Sequence, residues 1–201
     1  MSPNRPRPAA ALAKVDVESV EQWRAWLQAH HRQRQSVWAV TYKKGSNGPY
    51  VSAAEIAEQA LCFGWIDSLP RKLDSQRTML LISPRRTGSA WSKLNKDRVA
   101  RMIAAGQMTP AGLAKIEAAQ RDGSWSKLDG VDALAMPDDL ALALAALPKA
   151  RDNFQAFPPS ARRGILEWIV QARRPATRAR RVAETARLAA RNIRANQYRP
   201  K

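Results

Sequence analysis

The chain has 201 residues, 45% hydrophobic and 25% charged, with one cysteine and a formal net charge of +17. Such a length and composition suit a soluble globular protein, one domain or one domain with appendages. A single cysteine excludes an internal disulfide, and no stretch approaches the roughly 20 apolar residues of a membrane-spanning helix.

The charge is unevenly placed. Residues 1–15 carry +3, residues 161–201 carry +10 and the long middle only +4. A field of this kind attracts nucleic acid, anionic lipid or an acidic protein, or it serves solubility alone. The first residues, MSPNRPRPAAALAKV, hold two arginines but too short an apolar run for a signal peptide. The expected location is therefore cytoplasmic.

In chain order, residues 1–14 read as a disordered basic tail. Ser19 and Gln22 form a capping-box pattern ahead of Val20, Trp23, Trp26, Leu27 and His30 at helical spacing. His30 and His31, the two histidines, fall at that helix end and suit a structural or dipole role better than catalysis. Val37–Tyr42 reads as a buried strand, and Gly45–Pro49 as a turn with Lys43 and Lys44 at the solvated strand end. A second capping box, Ser52 with Glu55, opens a helix that Gly64 closes. Trp65–Ser68 then reads as a short strand, Pro70–Ser75 as a connection and Thr78–Ser83 as a buried strand.

After Pro84 the pattern turns helical. Ser92 is the expected cap of a helix ended by Gly106, and Thr109-Pro110 starts another that runs to about Arg121. Further helices are expected from Pro137 to Leu147, from Pro148 to about Phe157, after a Ser160 cap, and after Pro175 with Thr177 as cap. On the last helix Val182, Ala186, Ala189 and Ile193 share one face, and Arg180, Arg187, Arg191 and Arg194 another. That basic face suits phosphates or an anionic membrane surface. The fold class is α+β: a small N-terminal sheet with helices over 15–105, then a mainly helical part over 106–201. Trp-Ser-Lys-Leu occurs at 91–94 and 125–128, without the flanking period of a repeat architecture.

Polar groups able to do chemistry concentrate between Ala60 and Asn95. Arg85 and Arg86 stand shortly before a predicted helix start, where free N–H groups and the dipole favour an anion. Arginine adds a planar fork for carboxylate or phosphate. Trp65, Asp67, Ser89, Trp91, Ser92 and Asn95 complete the candidate ligand site. An alternative assigns Asp67 to a structural ion pair with an arginine and the tryptophans to the core. Cys62 reads as buried packing rather than a nucleophile, for no base lies near it in sequence. No His/Cys cluster has metal-ligand spacing, and no phosphate-loop or dinucleotide glycine motif occurs, so no metal or cofactor is expected.

These blocks resemble a known family. Ala60–Ser68 (ALCFGWIDS), Pro84-Arg85-Arg86, Ser89–Asn95 (SAWSKLN), Gly106–Gly112 (GQMTPAG), Pro137–Leu140 (PDDL) and Ala172–Arg181 (ARRPATRARR) look like the YdeI/OmpD-associated proteins, bacterial chains also labelled bacteriocin-protection or OmdA-like. The resemblance spans about Ser19 to Arg191. It implies a role in tolerance of antimicrobial peptides and a link to an outer-membrane porin, with no established enzymatic activity. The expectation is a non-enzymatic binding or stress-tolerance protein, with an anionic small molecule or an acidic protein as partner. A second reading is an enzyme using a pocket of Asp67, Arg85 and Asn95. A third is a nucleic-acid or membrane-surface module acting through the C-terminal basic helix.

Overall fold

The computed structural model describes residues 12–197, so most of the tail expected over 1–14 lies outside the described residues. The chain forms two compact units. One comprises the residues up to Ser89 with Leu94–Asp122, the other Ala90–Lys93 with the residues from Gly123 onward. No described helix is long and apolar enough to cross a membrane.

The first unit contains β1 (Lys14–Asp16), α1 (Val20–His30), β2 (Val37–Tyr42), α2 (Ala53–Cys62), β3 (Trp65–Lys72), β4 (Arg77–Pro84), α3 (Lys93–Ala104, from Leu94) and α4 (Pro110–Arg121). Its sheet has the order β1-β2-β4-β3, with β1 parallel to β2 and the other pairs antiparallel. The α+β class expected from the sequence is therefore correct, with one strand more than the three read there. Val37, Ala39, Leu80 and Ile82 pack from the sheet against Trp23 and Leu27 of α1 and Ile56 and Ala60 of α2. Trp23 also donates its indole N–H to the Ile56 carbonyl at 3.1 Å, which satisfies the one polar atom of a buried ring. On the opposite face Arg71 covers Trp38, 5.4 Å from the ring centroid.

Local chemistry sets most boundaries. Ser52 and Glu55 make the full capping box at α2. At α1 the box is displaced: Ser19 accepts from the Gln22 N–H, but the Gln22 side chain accepts from Glu18 rather than Ser19. Gly64, at φ +76, turns the chain out of α2 into β3. The stretch expected to be a connection after Pro70 is strand as far as Lys72. β3 is an edge strand, the position in a sheet that tolerates proline, and its register shifts between Asp67 and Pro70.

The second unit holds α5 (Asp129–Asp132), α6 (Asp138–Ala145), α7 (Ala150–Ala156), α8 (Pro159–Val170) and α9 (Pro175–Ala189). α9 lays Val182, Ala186 and Ala189 against Leu140, Leu144, Phe154 and Ile165. Two expected caps are corrected. Pro158 precedes α8 and Arg174 precedes α9, and in both helices a proline takes the first position, so Ser160 and Thr177 fall inside the first turn. The basic stripe also changes. Arg180 and Arg187 are exposed on α9, whereas Arg191 and Arg194 lie beyond its end. Asn192 adopts φ 54 and the Ile193 N–H returns to the Leu188 carbonyl, the left-handed closure of a helix C-terminus. The helical periodicity stops there, and the stripe of four divides into two pairs.

Candidate anion-binding cleft

The first unit contains a cleft of about 870 Å³ where four stretches distant in sequence meet. Gln28 and His31–Arg34 come from the end of α1 and the turn after it; Phe63–Trp65 lead from α2 into β3. Pro84–Arg86 close β4, and Thr109–Ala111 with Lys115 belong to the start of α4.

Backbone and side-chain bonds fix these stretches to one another. The Trp65 indole donates to the His31 carbonyl at 3.0 Å, and the Arg85 N–H donates to the Gly64 carbonyl at 2.9 Å. At the other end of Gly64 the Cys62 carbonyl accepts from the Thr109 hydroxyl at 2.6 Å and the Thr109 N–H at 3.2 Å. Thr109 in turn accepts from the Gly112 N–H, capping α4. The short run from Cys62 to Trp65 therefore pins the α4 N-terminus, the end of β4 and the turn after α1. Arg24 stiffens the wall: it bonds to Gln59 and to the Gln107 carbonyl and lies over the Phe63 ring.

Electrostatically the cleft is one-sided. Arg32, Arg34, Arg85, Arg86 and Lys115 line it, and among the described residues no carboxylate does. Arg85 is the buried member, 3% exposed, and its guanidinium donates to the Ser89 carbonyl at 3.2 Å. Burial lowers its pKa to about 10, opposed by the nearby Asp67 carboxylate, so it stays protonated at neutral pH. The side chains of Arg32, Arg34, Arg86 and Lys115 make no hydrogen bond, ion pair or ring contact among the described residues. Cationic groups left without a partner in a shared cleft repel one another, and an anion relieves that repulsion.

Of the residues singled out from the sequence, Trp65, Arg85 and Arg86 line this cleft. Asp67 sits on β3 opposite Ile82 and acts through Arg85, while Ser89 contributes its carbonyl. Asn95 is buried on α3, where its side-chain oxygen accepts from Arg98 at 3.1 Å. Trp91 and Ser92 belong to the second unit, with Trp91 packed 5.0 Å from Trp125. Sequence reasoning missed Arg32, Arg34 and Lys115. The signal for the first two was the run HHRQRQ at a helix end, read only for its histidines. Lys115 carried none.

Cys62 is fully buried, and burial pushes its thiol pKa up, with Arg24 opposing the shift. It is held as a neutral packing group, not as a thiolate. Among the described residues no group of three or more His, Cys, Asp or Glu side chains is placed to hold a metal.

Residues 15–115, half of the chain, match the family model described as Domain of unknown function (DUF8412). The chain belongs to that family. Residues 133–192 match a second model, described as Bacteriocin-protection, YdeI or OmpD-Associated (OmdA), so the YdeI/OmpD-associated resemblance holds. It is carried by the later blocks, Pro137–Leu140 and Ala172–Arg181, while the blocks between Ala60 and Gly112 fall in the stretch that matches DUF8412. Every residue lining the cleft lies within that first match. Neither the curated proteins nor the solved structures contain a match to the chain.

Proposed function

We propose that this member of the DUF8412 family is a binding protein that captures a small anionic ligand in the basic cleft. The observation that carries the reading is the set of four cationic side chains, Arg32, Arg34, Arg86 and Lys115, that line one cleft without a protein partner. Arg85 adds a buried positive charge, and the first turn of α4 adds the Ala111 N–H. Apolar walls from Pro84, Pro110 and Ala111 suit an organic body beside the charge. A buried, protonated Cys62 supplies no nucleophile, which favours binding over covalent catalysis.

The physiological setting that fits is stress tolerance of the bacteriocin-protection kind, after the match at residues 133–192. At +17 the chain repels cationic peptides, so protection would act through an anionic ligand or an acidic partner and not by sequestering the peptide. Titration calorimetry with a panel of organic carboxylates and phosphates tests the reading. Binding at low salt that Arg86→Ala weakens about tenfold, with unchanged thermal stability, is expected. A panel in which no anion binds, or in which Arg86→Ala has no effect, sinks it.

A further inference from the structure

The cleft also constrains how its ligand carries charge, an inference that rests on the binding reading above. The four unpartnered cations come from separate places: Arg32 and Arg34 from the turn after α1, Arg86 from the end of β4, Lys115 from α4. One carboxylate satisfies a single guanidinium fork and leaves the remaining charges facing each other. Arg85 differs, because Asp67 and the Ser89 carbonyl already answer it. The charge left for a ligand is therefore that of the four, which line a cleft of about 870 Å³. A volume of that order suits an organic molecule and far exceeds one phosphate group. Trp65 offers no polar group to it, since the ring is buried and its indole N–H is committed to the His31 carbonyl.

We propose that the ligand is an organic compound carrying at least two phosphate groups. Phosphates match arginine forks as carboxylates do, but a terminal phosphate brings close to two charges and three acceptor oxygens, and a second phosphate adds at least one charge more. Two of them reach cations on two of the three segments at once, and the organic body lies along Pro84, Pro110 and Ala111. A soluble nucleotide and a phosphorylated lipid headgroup share this chemistry.

The test is calorimetry on the full chain with benzoate, AMP, ADP and inorganic pyrophosphate. A parallel arm uses sedimentation with phosphatidylcholine vesicles that contain phosphatidylinositol bisphosphate. ADP is expected to bind at least about tenfold tighter than AMP, and AMP tighter than benzoate. The double variants Arg32→Ala/Arg34→Ala and Arg86→Ala/Lys115→Ala should each abolish the ADP advantage. These side chains make no hydrogen bond, ion pair or ring contact among the described residues, so the melting temperature should not fall. Vesicle binding that exceeds ADP binding, with the same dependence on the four cations, supports the chemistry and names a lipid as the source. Equal affinity for AMP and ADP, or for benzoate and ADP, overturns the two-phosphate inference and leaves the anion cleft standing. ADP binding indifferent to both double variants overturns it as well. If no probe binds at all, the cleft reading itself falls.

Discussion

Gly112 lies against the Cys62 carbonyl so closely that a β-carbon built on it would overlap both the oxygen and the carbon of that group. The contact joins the first turn of α4 to the end of α2, beside the two hydrogen bonds from Thr109 to the same carbonyl. Backbone cannot move aside as a side-chain tip can, so the absence of a methyl is a packing requirement. Gly112→Ala should cost about 2–3 kcal/mol, the upper range for overpacking. Chemical denaturation measures the loss. A cost below that of an ordinary surface substitution would show that α4 is not held in this way. Because Thr109–Ala111 line the cleft, the same variant should weaken anion binding even at temperatures where it remains folded.

Cys62, on the other side of that contact, should not react with alkylating reagents in the folded protein. It has no exposed surface, and burial holds the thiol above its ordinary pKa. Both effects deplete the accessible thiolate that alkylation needs. Mass spectrometry after iodoacetamide should find no label at neutral pH and one label per chain in denaturant. Labelling of the native protein at the rate of a free thiol would contradict the packing role.

What the sequence reveals, and what it withholds, follows from how local each feature is. The Ser52–Glu55 box, the Thr109-Pro110 start and the Gly64 turn depend on residues within one or two turns, and they read correctly. β1 is three residues long, with only Val15 partly covered, and it exists through pairing with β2 at Lys14–Trp38 to Asp16–Val40. No local pattern announces such a strand. Pro70 reads as a strand breaker because sequence alone cannot say that its strand is at an edge. The cleft is the strongest case. Its cations are separated by about fifty and thirty residues, and only the chain from Cys62 to Trp65 brings their segments together. Asn95 has the polarity of a site residue, but it turns inward on α3 to meet Arg98.

The capping box at α2 should make part of the stability depend on pH. Hydrogen bonds from the Ser52 hydroxyl and then the Ser52 backbone lower the Glu55 pKa from 4.5. A depressed carboxyl pKa adds stability that is present above the unfolded value and is lost as pH falls through the folded one. Ser52→Ala should cost about 1 kcal/mol at neutral pH, the usual worth of a cap. Glu55 is largely exposed, so the pH-dependent share is the smaller part of that cost. Melting curves of both proteins should converge partly as pH drops below 4.5. A difference that grows on acidification would contradict the sign.

Arg178 on α9 makes a two-pronged pair with Asp139 on α6, at 2.7 and 2.9 Å. It holds the Asp139 carboxyl below its ordinary pKa. Both side chains are a third or more exposed, so solvent screens the attraction and about 0.5–1 kcal/mol is the expected coupling. A double-mutant cycle with Asp139→Asn and Arg178→Gln measures it. The coupling should shrink in molar salt and vanish at low pH, where the carboxyl is protonated. A coupling that salt does not change would mean the pair acts by shape rather than charge.

Lys149 precedes α7 in the left-handed region, at φ 61, with an exposed side chain. A residue with a β-carbon pays about 1–2 kcal/mol for that conformation, and glycine pays nearly nothing. Against this, glycine gains about 0.5–1 kcal/mol of extra freedom in the unfolded chain. The balance favours glycine. Lys149→Gly should therefore stabilise the second unit by about 0.5 kcal/mol, read as a small upward shift of the denaturation midpoint with unchanged slope. Lys149→Ala separates the causes, since it keeps the β-carbon and should leave stability nearly unchanged. If alanine stabilises as much as glycine, the gain comes from removing a positive charge in a strongly basic chain and not from the backbone.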